Sequence, residues 1–170
     1  MKKVFFLAAL LVCCIAAQAQ RFALVDMEYI LKQIPAYEQA NQQMESLSKQ
    51  WQSEVEAKAQ EAKTMYDEYQ KNASNLSATQ KTAQENAIIA KEKEAADLRK
   101  KYFGPEGEGM KKRQELITPI QDAIYNAIKD IATQKNYDAV IDRASAQSMI
   151  FASPRIDISN EVLAKLGYSN

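Results

Sequence analysis

From Gln39 to Lys101 the chain is built mainly of Gln, Glu, Lys, Ala, Ser and Asn, with large apolar residues far apart. Such a stretch cannot fill a thick core, and no other feature restricts the fold as much. Its apolar residues still keep a rhythm. Tyr37, Ala40, Met44, Leu47, Trp51, Val55, Ala62, Met65, Tyr69, Ala73 and Leu76 follow one another mostly in steps of three or four, with Lys58 in the gap. Steps near 3.5 place them on one narrow face, the seam of a coiled coil rather than the side of a broad core. The spacing predicts a helix over Ala36–Ala73, roughly 55 Å long at about 1.5 Å per residue. Pro35 suits its start, where the missing N–H would have no partner in any case.

The run Asn72-Ala-Ser-Asn-Leu-Ser77 consists of residues that hydrogen-bond locally and favour turns. Ser77 and Gln80 have the spacing of a capping box, so a second helix is expected from about Ala78. To Lys101 it offers only Ala83, Ala87, Ile88, Ala90, Ala95 and Leu98 for packing and needs the first helix beside it. The pair makes a helical hairpin within 36–115. Phe103-Gly-Pro-Glu-Gly-Glu-Gly109 holds three of the chain's four glycines, a break that regular helix would not tolerate cheaply, and reads as a loop or hinge over 103–109. A third helix is expected to about Lys135, carrying Leu116, Ile117, Ile120, Ile124, Ala127, Ile128 and Ile131 on one strong apolar face, with Pro119 placed to kink it near its start.

Strand signals sit at both ends. Phe22–Met27 reads as a strand and Glu28–Ile34 as a short helical turn. Ala139–Asp142 and Met149–Ala152 read as a two-stranded hairpin around Arg143-Ala-Ser-Ala-Gln-Ser148. Asp157 or Ser159 is placed to cap a final helix through Leu166, which Gly167 stops. The fold class is therefore α+β, mostly α. Segments 20–35 and 116–170 close into a small β body with packing helices, and the hairpin projects from it.

Lys2 and Lys3 precede an apolar run from Val4 to Ala17, and Ala17-Gln18-Ala19 gives small residues where a signal peptidase reads. Residues 1–19 are thus expected to be a signal peptide, the mature chain starting at Gln20. The run is short of the about 20 apolar residues that span a bilayer. Lipidation at Cys13 or Cys14 is the rival reading, but Leu11-Val12 lacks the small pair of a lipoprotein signal. Both cysteines fall inside the signal, which leaves the mature chain without disulfides, thiolate nucleophiles or cysteine-held metal.

The chain has no histidine, hence neither the usual general base near neutral pH nor the commonest metal ligand. Without Lys2 and Lys3, 20 of the 22 basic residues remain against 22 acidic ones, a balance that carries no nucleic-acid footprint. The glycine loop lacks the lysine and Ser/Thr of a phosphate loop. Pairs such as Asp142 with Asp157 come with no second motif for acid–base work. No catalytic residue, metal or cofactor is expected, and the chain does not read as an enzyme. A hydrolase would have to rest on one essential serine.

Two stretches resemble the Skp/OmpH family of periplasmic chaperones. One is Phe22-Ala-Leu-Val-Asp-Met27 running into Ile30-Leu-Lys-Gln-Ile34. The other comprises Ile120-Gln-Asp-Ala-Ile124, Tyr137-Asp-Ala-Val-Ile-Asp142 and Asp157-Ile-Ser-Asn-Glu-Val-Leu-Ala-Lys165, similar in order and spacing to the family's final helix, strand and terminal helix. The resemblance spans essentially the whole mature chain. It implies a periplasmic homotrimer of a Gram-negative bacterium, with strands of each subunit in a shared β body and three hairpin tentacles around a cavity. Unfolded outer-membrane proteins would be held there without ATP. The family's best-known members are strongly basic, whereas this mature chain is slightly acidic, and the glycine loop interrupts what would be a continuous tentacle.

Within that reading Phe22, Leu24, Val140, Ile141, Ile150 and Phe151 are expected in the core or the subunit interface. Trp51, Met65, Tyr66 and Tyr69, the large side chains of a thin helix, are candidates for client contact, since methionine and aromatics suit a surface accepting many partners. The alternative is that they pack hairpin helix on hairpin helix. Lys100, Lys101, Lys111, Lys112 and Arg113, with Arg99, are candidates for contact with anionic lipid or lipopolysaccharide, or are simply a solvated face. The competing function is an envelope coiled-coil spacer or adaptor with a fixed partner, which would need neither the closing strand and helix nor the proline-started helix.

Overall fold

The computed structural model describes residues 21–168. The expected signal segment, 1–19, lies outside them. The chain divides into two units, one of the segment up to Ile34 together with that from Asp122 onward, the other of Pro35–Gln121.

In the first unit, Phe22–Val25 forms strand β1. Its residues Ala23, Leu24 and Val25 are all buried, the unbroken apolar run of a strand covered on both faces. Asp26 ends it and caps helix α1, Met27–Lys32, its carboxylate accepting a hydrogen bond from Tyr29 N at 2.8 Å. The strand therefore stops two residues before the expected Met27, because the Asp26 side chain takes up one of the first unpaired N–H groups of a helix. Ala139–Asp142 forms β2, paired in parallel with β1 and with Leu24 opposite Ile141. On its other edge β1 receives Ile158 N on Leu24 O at 2.9 Å and bridges to Asp157.

The expected second strand over Met149–Ala152 is not formed, and this corrects the hairpin reading. Ala139–Asp142 pairs instead with β1, whose other edge takes the Asp157–Ile158 segment, so a sequence-distant parallel pairing stands where the local hairpin is expected. Helix α5, Ser159–Lys165, closes the unit and packs on α1. Asp157 Oδ1 accepts from Ser159 N at 2.9 Å. Gly167, at φ 86°, ends the helix, with Tyr168 N on Leu163 O at 2.9 Å, the left-handed stop that glycine adopts without penalty.

In the second unit, α2 covers Pro35–Asn72 and α3 covers Ala78–Phe103. A helix of 38 residues rises about 57 Å. Residues Ala73–Asn75 form a single tight turn between them, and Ser77 and Gln80 make the reciprocal capping box. Helix α4, Glu108–Lys135, follows and includes Pro119; its residues up to Gln121 belong to the second unit and those from Asp122 onward to the first. The glycine break is shorter than 103–109: only 104–107 lie outside helix, and Gly109 belongs to α4. Along α4, Ile117, Ile124, Ala127 and Ile131 are buried at helical spacing.

Candidate functional site

Helices α2 and α3 pack along the seam that the sequence spacing marks out. Ala40, Trp51, Val55 and Ala62 of α2 and Ile88, Ala95 and Tyr102 of α3 are buried, while Met44, Leu47, Met65 and Tyr69 are half-buried between them. Lys58 occupies its seam position by turning its ammonium to Glu61 at 3.0 Å. Since α3 has no apolar face wide enough to stand alone, α2 supplies most of its cover.

The four residues proposed for clients part company here. Trp51 is only 8% exposed, its ring stacked on that of Tyr102 at 5.2 Å between centroids and 11° between planes. Met65 lies with Ile88 and Ala87 along a shallow groove. Tyr69 donates its hydroxyl to the Glu85 carboxylate, which holds its phenol above the usual tyrosine range. Tyr66 is the one left open, at 47% exposure. It borders a groove of about 400 Å³ with Ala59, Ala62, Lys63, Glu92, Ala95, Ala96 and Arg99. Ile89, 60% exposed, lies three residues from Glu92 and so on the same side of α3. The sequence reading missed Ile89. Its signal was there, because Ile88 and Ile89 are adjacent in a thin helix and cannot both face α2.

The basic residues also separate. Lys100, Lys101 and Lys111 line an open depression of about 600 Å³ with Asp97, Glu106 and Glu108. Lys101 is paired with Glu108 at 3.6 Å. Lys112 donates to Glu115 at 2.8 Å, Arg113 is exposed and Arg99 belongs to the Tyr66 groove.

Of the residues expected in the core or interface, Leu24 is buried within its own chain and Val140 half-buried, while Phe22 and Ile141 are exposed. Ile150 and Phe151 stand out at 101% and 84% exposure. Two neighbouring large apolar side chains left in water are an unusual surface for a finished subunit.

Among the described residues no helix is long and apolar enough to cross a membrane, and no group of acidic residues is placed to hold a metal ion.

Comparison with known proteins places this arrangement. The chaperone protein Skp of Yersinia enterocolitica is 28% identical over 153 residues, covering 89% of this chain and 88% of its own. That of Photorhabdus luminescens is 29% identical over 127 residues, 75% of each. These relatives carry the name of a chaperone, not of an enzyme. A crystal structure of an OmpH-like protein from Caulobacter crescentus shares the fold, with a TM-score of 0.68 over 89% of this chain and 86% of that one, at 11% identity. The profile of the family described as outer membrane protein (OmpH-like) matches residues 21–166. Since that match begins at the first described residue and runs past the end of α5, the chain belongs to the OmpH-like family.

Proposed function

We propose that this protein is an ATP-independent periplasmic holdase, which binds unfolded outer-membrane proteins on the helical hairpins of a homotrimer and keeps them from aggregating. The observation that carries the reading is the hairpin surface. Tyr66 and Ile89 are exposed beside a groove floored by Ala62 and Ala95. A thin pair of helices with isolated apolar contacts binds many sequences weakly and releases them without an energy source, as a passive chaperone requires. The names of the relatives support it. Assembly is supported by Ile150 and Phe151, whose exposure a second and third copy would relieve. Export with cleavage after Ala19 rests on the N-terminal sequence.

Lys100, Lys101 and Lys111 around their depression favour an additional contact with anionic headgroups of lipid or lipopolysaccharide. Binding to anionic vesicles that persists unchanged at high salt would count against this contact, because surface charges are screened beyond about 8 Å at physiological ionic strength.

Light scattering after size exclusion decides the main reading. Purified protein, alone and mixed with a urea-diluted outer-membrane barrel protein, should run as a trimer and then as a soluble complex with one client. A monomer or dimer that leaves the client to precipitate would instead support a coiled-coil adaptor with a fixed partner.

A further inference from the structure

Tyr102 is held at three points. Its ring stacks on Trp51, and Phe103 meets the edges of both rings, at 6.3 Å from Trp51 and 6.5 Å from Tyr102. Its hydroxyl donates to Glu54 Oε2 at 2.6 Å. This bond, with a second from Gln50, holds the Glu54 carboxyl below its ordinary range. Its carbonyl is enclosed by the glycine turn: a Cβ on Gly107 or on Gly109 would come within 2.9 Å of Tyr102 O. At Gly107 the carbonyls of Lys101 and Gly104 crowd the same space at 2.8 and 2.9 Å. Gly109, in the first turn of α4, also lies under the indole, where a Cβ would meet Trp51 Cζ3 at 3.5 Å. Leu47 and Leu98 pack around the cluster.

Beyond Val55 the hairpin has no comparable joint. Ile88 is the one large apolar side chain buried there, Ala62 and Ala95 supply little side chain, Met65 and Tyr69 are only half-buried, and the polar ties across the helices, Lys91 with Glu61 at 3.5 Å and Tyr69 with Glu85, are partly open to solvent. Exposed pairs of this kind hold geometry weakly.

We propose that Trp51, Tyr102 and Phe103, backed by the glycine turn, clamp α2, α3 and the first turn of α4 into one stiff node, so that the hairpin bends between Val55 and the 73–75 turn and not at the glycines. The glycines at 104, 107 and 109 serve close packing of backbone, not freedom of motion. This assignment is independent of whether the hairpin holds clients, because it concerns only residues 47–111.

Peptide-resolved hydrogen–deuterium exchange on the purified full protein tests it. Within 101–111 the hydrogen-bonded amides, those of 101–104, Gly107 and Lys111, should exchange at least about tenfold more slowly than the hydrogen-bonded amides of 80–92. Glycine-turn amides exchanging as fast as 80–92, or faster, would overturn the proposal. Gly107→Ala, which must push three carbonyls apart, should speed exchange across 101–111 by about tenfold and expose Trp51, the chain's single tryptophan, to acrylamide quenching. Trp51→Ala should speed the same amides to a similar extent. If it melts the hairpin altogether, the unmodified comparison and Gly107→Ala still decide. Unchanged exchange and quenching in Gly107→Ala would show that the turn and the aromatic cluster are not one body.

Discussion

Asp26 does two jobs with one carboxylate. One oxygen accepts from Tyr29 N as the cap of α1, and the other takes Arg143 Nε and Nη2 at 3.1 and 3.0 Å. Arg143 reaches Asp157 as well, at 3.5 Å, so a single guanidinium joins the end of β1 to the segment bridged to it. The Tyr29 N–H, and after it Arg143, holds the Asp26 carboxyl below its usual value. A depressed folded-state value means that Asp26 stabilises the fold fully above the unfolded value, about 3.9, and that this contribution is lost as pH falls through the folded value. Asp26→Ala should lower the unfolding free energy by about 1–2 kcal/mol, in the range of a lost cap. Asp26→Asn keeps a good cap but drops the charge, so it should lose less and should flatten the dependence of stability on pH below about 4. Denaturant unfolding at pH 7 and at several acid values checks both, and equal losses from the two variants would reject the division of labour. The sequence reading carried β1 on to Met27 because Leu24-Val25-Asp26-Met27 continues an apolar run with one interruption. It recognised the Ser77–Gln80 cap, where turn-forming residues precede the serine, and missed this one, where apolar residues conceal it.

At the level of elements, the helices were readable because their seam is set by local spacing. Residues from Tyr37 to Leu76 that keep steps of three and four are all buried or half-buried in the fold. What those steps do not say is which α3 residue each one meets. The 73–75 turn fixes that register and brings Trp51 opposite Tyr102, which follows a polar run and precedes the glycines, so no local spacing marks it as a packing residue. The consequence is a sharp contrast between two aromatic residues of α2. Trp51→Ser should destabilise the hairpin by about 3 kcal/mol or more, as large-to-small changes at buried aromatics do. Tyr66→Ser should leave stability within about 0.5 kcal/mol, as at ordinary surface positions. Combined with Ile89→Ser, it should instead weaken binding of an unfolded barrel protein by about tenfold, equivalent to ~1.4 kcal/mol. Circular dichroism and competition binding separate the two effects. Client affinity unchanged in the Tyr66/Ile89 double variant would move the binding surface off this face of the hairpin.

For the molecule as a whole, the sequence indicated strands at both ends of the chain, but not how they pair. Parallel pairing of Phe22–Val25 with Ala139–Asp142 brings together residues with the rest of the fold between them, and no local pattern encodes such a partner. The apolar run Met149–Ala152 fits a hairpin strand by composition, yet within one chain it has no ladder and leaves Ile150 and Phe151 in water. Exposed apolar strand-like segments invite pairing with another copy. If Ile141, Ile150 and Phe151 meet other subunits, a charge there is cheap in the isolated chain and costly in the assembly. Each copy would bury an unpaired carboxylate, at an effective penalty of several kcal/mol per ion, and the symmetry of a closed ring repeats that penalty at every interface. Ile141→Asp and Phe151→Asp should therefore each reduce the mass in solution to that of a single chain while leaving helix content unchanged. Light scattering and circular dichroism on the same samples read both. A mass equal to that of the unmodified oligomer in both variants would place the interface on another surface, and loss of helix content along with mass would assign these residues to the subunit's own fold.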